Sequence, residues 1–288
     1  MWFWYALLSS IFSAISIITL KKVLHHVSAP LVTWSLFALS IPFLIVISIK
    51  SGIPKISTLF FVGAGGSSIF FAFSKTMSLS SFKKSFLSNI YPLTSFSALF
   101  TYIFGLIFLS ERIGLTGIAG LVITVFGAYI LNAEEMKEDV FKPFKLLFTN
   151  STSFIYLIAM VLSSLSAILD KVALSSSSPA SPAFTLLVEN FLMSLLLTSY
   201  MTHKDRNWIN ELKNNFLPLL AASLVYMVLG LFVFLGFSSG PVALVSGIKR
   251  IEVIFVLLLS SIFFGDKLTK HTLIASVIML TGVILMKL

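Results

Sequence analysis

The chain contains no cysteine, and only 11% of its residues are charged. The first absence excludes disulfides, thiolate metal sites and cysteine nucleophiles together. The second excludes an ordinary soluble domain, in which about 25% of residues are charged. No GxxxxGK[ST] occurs, so there is no phosphate loop and no ATPase within the chain. HExxH and GxSxG are missing too, and no pair of intramembrane aspartates suggests an aspartyl protease. The four histidines, His25, His26, His203 and His271, fall at the ends of apolar runs or in loops, without metal-ligand spacing. An enzyme, a cofactor and a bound metal are therefore not expected. The N-terminal apolar run lacks a basic leader and a small-residue cleavage site, and reads as a retained first helix.

What is present is apolar. Of the 288 residues, 57% are hydrophobic and the mean hydropathy is +1.02, which marks an integral membrane protein in contact with lipid. The net charge of +9 is spread singly or in pairs between apolar runs, a pattern of membrane anchoring and not of nucleic-acid binding. Trp2, Trp4, Tyr5 and Trp34 read as interfacial anchors. Ten runs have spanning length, approximately 2–20, 31–49, 56–78, 86–109, 113–131, 154–174, 183–201, 216–237, 241–264 and 272–288. They are too long, and alternate too little, for strands of a barrel.

The polar segment Asn132 to Lys145 divides these runs five and five, giving one unit over 1–131, a connector over 132–150 and a second unit over 151–288. An offset of 155 residues lays Phe237 on Phe82, Asp266 on Glu111 and Gly282 on Gly127, and an offset of 149 lays Lys171 on Lys22 and Pro179 on Pro30. Loop charge reverses between the halves. Lys21, Lys22, Lys75, Lys83 and Lys84 follow the first and third runs of the first half, whereas in the other half only Lys171 is counted with the first and third runs and Lys204, Arg206, Lys213, Lys267 and Lys270 follow the second and fourth. Under the positive-inside rule this reversal puts equivalent loops on opposite sides of the membrane. The expected fold class is all-α, with ten transmembrane helices arranged as two inverted five-helix repeats.

The ninth run, PVALVSGIKRIEVIFVLLLSSIFF, carries Lys249, Arg250 and Glu252 near its middle. In a continuous helix Lys249 lies roughly 12 Å past Pro241, close to mid-membrane. The three-residue spacing puts Lys249 beside Glu252 and turns Arg250 away, in need of another partner. In the seventh run, Glu189 and Asn190 form a second polar point. Three readings of Glu189 stand open: a structural partner that neutralises Arg250, a contact to substrate, and a carrier of coupled protons. The first-half positions matching the ninth-run charges are Thr94, Ser95 and Ser97, with Asn89 and Tyr91 a turn earlier. They form a polar, uncharged wall whose Ser and Thr also suit close helix packing. An arginine fork and a lysine opposite hydroxyls and an amide suit a solute bearing a carboxylate or phosphate. Lys75 has two courses open, towards the mouth of the cavity or, the favoured one, snorkelling to the interface.

The segment Ser81 to Leu131 has a proline within its first helix, Pro92, an acidic residue at that helix's end, Glu111, and a Gly-rich second helix. Gly240 to Leu288 repeats the plan. Both resemble the closing helices of an EamA repeat in the drug/metabolite transporter superfamily. That resemblance implies two inverted five-helix bundles, a central cavity lined from both halves, and transport by alternating access. The chain departs from the pattern at Asp266, where glutamate is usual, and at Gly247, which stands opposite Pro92 so that only the first half keeps the kinking proline. The family commonly has cytoplasmic termini, whereas the loop lysines and arginines favour termini outside.

The expectation is a multi-pass protein of the cell membrane, monomeric or homodimeric, that moves a small polar organic metabolite outward. Its site residues are Lys249, Arg250, Glu252, Glu189, Asn190, Asn89, Tyr91 and Thr94, with protons as a coupling partner. The alternative is a non-transporting scaffold or sensor with a structural ion-pair network.

Overall fold

A computed structural model describes residues 1–84, 94, 96–133, 150–204, 207–264 and 270–288. The first half contains α1 (Trp2–Leu24), α2 (Ala29–Ala38), α3 (Ile41–Ser51), α4 (Thr58–Lys84), α5 (Ser97–Phe108) and α6 (Leu115–Ala133). The second contains α7 (Ser151–Ser175), α8 (Pro182–Lys204), α9 (Trp208–Asn214), α10 (Phe216–Ser239), α11 (Val242–Lys249), α12 (Glu252–Phe264) and α13 (Lys270–Lys287). A two-residue antiparallel ladder joins β1 (Lys55–Ile56) to β2 (Ser177–Ser178).

Six helical stretches are long and apolar enough to cross a membrane: Trp2–Leu24, Ala29–Ser51, Thr58–Ser81, Ser151–Ser175, Pro182–His203 and Phe216–Ser239. Shorter apolar helices occupy the fourth, fifth, ninth and tenth runs. The protein is thus an all-α, multi-pass membrane protein. Outward-facing Val46, Phe126 and Val277 are more than half exposed, as residues bathed in lipid should be. Helix hydroxyls fold back onto their own backbone, Thr33 Oγ1 onto the Ala29 carbonyl at 2.8 Å and Ser68 Oγ onto that of Ala64 at 2.6 Å, which satisfies polar atoms without water. The break between α2 and α3 has a covalent cause. Pro42 has no N–H to return to Ala38, and the helix restarts around Ser40.

The most extensive packing joins α4 to α7, α6 to α13 and α1 to α10, with α5 on α11 and α2 on α8. Every one of these interfaces crosses from one half of the chain to the other. The first-run helix of each half lies on the third-run helix of its counterpart, while second, fourth and fifth runs meet their own equivalents. Where α6 crosses α13 the backbones touch through glycines. A Cβ on Gly120 would lie 2.5 Å from the Gly282 carbonyl oxygen, and one on Gly282 would lie 2.6 Å from that of Gly120. Backbone cannot yield as a flexible side chain does, so these positions admit nothing larger.

Gly282→Leu is therefore expected to lower the thermal midpoint of the purified protein, at an overpacking cost of about 3 kcal/mol. Gly65→Ala, whose new methyl meets nothing within 4 Å, is expected to leave it unchanged or raise it. Equal responses from the two variants would contradict this packing account.

Candidate functional site

The ninth apolar run is not one continuous helix. α11 ends at Lys249, α12 starts at Glu252, and between them the backbone tightens: Arg250 N–H bonds Gly247 O at 3.0 Å and Ile251 N–H bonds Ile248 O at 3.1 Å. The interruption falls on the charges and needs no proline, so Gly247 in place of a proline does not keep this helix intact. In the first half, α5 begins at Ser97, the position that the 155-residue offset matches to Glu252. Irregular backbone at membrane depth survives where protein or a cavity covers it, and both do so here.

The break also changes the pairing that a continuous helix implies. Arg250, not Lys249, forms the ion pair, with Nη1 3.5 Å from Glu252 Oε1. Glu252 is 5% exposed and accepts a further bond from the Ser13 hydroxyl. Ser13 is the central residue of α1, about 17 Å from either end, so the cluster sits at mid-depth. Arg250 Nε is buried with no hydrogen-bond partner among the described residues. The guanidinium is thus only partly satisfied by protein.

Glu189 does not neutralise Arg250. Its carboxyl, 2% exposed, lies against that of Asp170 on α7, which also accepts from the Ser67 hydroxyl on α4. Ser67 Oγ is 2.8 Å from Ser166 Oγ, and no donor reaches Glu189 Oε1 among the described residues. Asn190 Nδ2 donates to Ser40 Oγ at 2.9 Å, tying α8 to the α2–α3 break. Thr94 is buried in the wall of a cavity. Asn89 and Tyr91 lie outside the described residues, as do Pro92, Asp266 and Lys267.

Two cavities meet at the broken helix. One of about 650 Å³ is bounded by Lys21, His25, Lys75, Thr94, Lys249 and Glu252, and a smaller one of about 130 Å³ by Asp170, Glu189, Asn190 and Ser246. Phe71, Ser163, Tyr226, Leu229, Lys249 and Arg250 border both. The larger cavity reaches the C-terminal end of α1, where Lys21 and His25 stand. The opposite end is tied shut. Trp2 packs onto Gly240, Lys171 Nζ donates to the carbonyls of Phe237 and Gly240, and Val242 N–H donates to Glu111 Oε2 at 3.0 Å. Two lysines taken as loop charges therefore have internal positions. Lys171 lies inside α7, and Lys75 lies inside α4 with Nζ 4.5 Å from the Tyr226 ring centroid, instead of snorkelling outward.

Sequence reasoning missed Asp170, Ser13 and Tyr226, and ranked the inward course of Lys75 second. For Asp170 a signal was available, since a carboxylate within a spanning run calls for a partner. Ser13 and Tyr226 carried none.

Glu111, between α5 and α6, also sets a pH dependence. Burial raises its carboxyl above the ordinary 4.5, opposed by the Val242 N–H and by Lys171. Because the folded value is the higher one, the protonated form stabilises the fold at low pH, and that contribution is lost as pH rises through the raised value. The thermal midpoint of wild type relative to Glu111→Gln is expected to fall across that window. Glu111→Ala, which removes the acceptor from Val242 N–H, is expected to be destabilised at every pH, by about 1 kcal/mol. A pH-independent difference between wild type and Glu111→Gln would contradict this.

Comparison with known proteins gives the family. A curated set of proteins holds no match to the chain. A crystal structure of another protein superposes with a TM-score of 0.72 over 99% of this chain and 94% of its own, at 13% identity, which speaks for the fold alone. The profile of the EamA-like transporter family matches residues 1–133 and 150–288, and with nearly the whole sequence covered the chain belongs to that family.

Proposed function

We propose that this protein is a secondary transporter of the cell membrane that exports a small polar organic solute bearing a carboxylate or phosphate, by alternating access. The observation that carries the reading is the half-satisfied Arg250 at mid-depth, between a 650 Å³ cavity that reaches one end and a smaller one that abuts the tied end. A cation with unused donors in a cavity is a binding group for an anion. The same arrangement argues against a scaffold. A dry structural network satisfies all its members, and this one leaves Arg250 Nε and Glu189 Oε1 without partners among the described residues.

The reciprocal packing of the halves and the matched starts of α5 and α12 support the reading of two inverted five-helix repeats, ten spans in all. Rocking of one bundle against the other, with release of the Lys171 and Glu111 contacts, would open the tied end. In the loop-charge account Lys75 and Lys171 drop out, one from each side, so the excess favouring external termini keeps its sign.

Proteoliposomes loaded with a mixed pool of carboxylate and phosphate metabolites test the proposal, with released solutes identified by mass spectrometry. Wild type is expected to release at least one solute faster than empty vesicles. Arg250→Met with Glu252→Leu is expected to keep its thermal midpoint, since apolar replacement of a buried pair is often neutral, while losing the flux. Retained flux in that double variant would contradict the assigned site.

Proton coupling, the third reading of Glu189, gains support from Asp170 beside it, with Tyr226, Lys249 and Arg250 on the facing helices. A hydrogen bond between two carboxyl groups requires a proton, and gain or loss of that proton is sensed across the cavity. Glu189→Gln and Asp170→Asn are each expected to flatten the pH dependence of flux. An unaltered pH profile in both would rule the pair out as the coupling site.

A further inference from the structure

The charges around the larger cavity do not balance. Apart from Lys21 at the mouth, three cationic side chains, Lys75, Lys249 and Arg250, face a single carboxylate, Glu252, which leaves two formal positive charges over at depth. Glu252 is already engaged by Arg250 and Ser13. Neither Lys75 nor Lys249 forms an ion pair among the described residues, and the Lys75 ammonium rests over the Tyr226 ring, a weaker substitute for a carboxylate. Lys21 and His25 add no acid at the mouth. The other two acids, Asp170 and Glu189, border the smaller cavity and contact each other. Cations held away from bulk water without counterions are costly, and an anionic solute that enters the cavity lowers that cost.

Resting on the transporter reading above, we propose that the larger cavity selects a dianionic organic solute, Lys249 and Arg250 gripping one anionic group while Lys75 supplies the second positive contact. Lys75 is the specificity-determining residue. It reaches the site from α4 in the first half, whereas Lys249 and Arg250 belong to the second half, so a dianion bridges the two halves and a monoanion engages only one. Two chemistries satisfy the charge: a dicarboxylate, with its charges at separate ends, and a phosphate monoester, with both on one phosphoryl group.

The test measures thermal midpoints of the purified full-length protein with butyrate, succinate and glycerol 3-phosphate at neutral pH and matched ionic strength. A charge-assisted contact present for one ligand and absent for the other implies that succinate or glycerol 3-phosphate matches the butyrate shift at about tenfold lower concentration. Preference for succinate identifies the separated-charge class, and preference for glycerol 3-phosphate identifies the phosphoryl class. Lys75→Met is expected to bring the dianion-to-butyrate ratio to about one, and Lys75→Arg to restore it. Equal responses to butyrate and both dianions overturn the proposal, as does a lack of response to all three, or a preference that persists in Lys75→Met. If Lys75→Met does not fold, Lys75→Gln decides, since it removes the charge and keeps a polar side chain: a ratio of about one supports the proposal, and a ratio equal to that of wild type overturns it. The transporter reading fails separately. Dianion stabilisation with no solute release from proteoliposomes sinks transport and keeps the binding site, whereas release of singly charged solutes alone keeps transport and sinks the dianion.

Discussion

Charge at membrane mid-depth is the constraint on which the rest of this structure depends. A single charged side chain at the centre of a spanning helix costs about 2.5 to 3.5 kcal/mol on insertion scales, and the ninth run carries three in four residues. The fold meets that cost by breaking the helix between Lys249 and Glu252, turning Arg250 onto Glu252, and bringing the Ser13 hydroxyl from the midpoint of α1 to the same carboxylate. The broken backbone in turn must lie within protein, which sets α1, α5, α6 and α10 around α11. What remains unsatisfied faces the cavities. The cost of the charges and the proposed site thus have one origin.

The two ends of the molecule differ for reasons that follow from composition. At one end of α1, Lys21 and His25 stand at a cavity mouth, where charged and polar groups stay hydrated. At the other end, Trp2 covers Gly240, and Lys171 and Glu111 close onto the backbone at the α10–α11 turn. An acidic group at the start of α11 also complements the partial positive charge of the helix N-terminus. Beside the apolar Trp2 contact these ties are two polar side chains on backbone groups, whereas the α6–α13 contact is backbone against backbone through Gly120 and Gly282.

Much of the fold was legible in the sequence, because lipid restricts a chain to long apolar runs that hydropathy detects directly. The membrane class, the helical content and the polar point at Lys249, Arg250 and Glu252 all follow from that restriction, and the glycines that register the two halves include Gly282, where α6 and α13 meet. The partners were less legible. A spacing rule for a continuous helix assigned Glu252 to Lys249, and the rule failed because the helix stops there. One of three readings paired Glu189 with Arg250 by charge, but charge does not say which of several carboxylates and cations adjoin, and tertiary packing brings Asp170 to Glu189 instead. Lys75 was misread as a loop charge because a lysine near the expected end of an apolar run gives no sign of which way its stem points. Asn89 and Tyr91 fall outside the described residues.

The absence of cysteine permits the most direct measurement of the central claim, that the mid-depth charges separate two compartments exposed in turn to opposite sides of the membrane. Ser78→Cys marks the larger cavity and Ser246→Cys the smaller one, and each is the sole thiol in its variant. Labelling with a membrane-impermeant maleimide in right-side-out and inside-out vesicles reads which face reaches each thiol. The account predicts that the two thiols react from opposite faces and that a transported solute changes their rates in opposite directions. Reaction of both thiols from the same face, or rates indifferent to every transported solute, would contradict it.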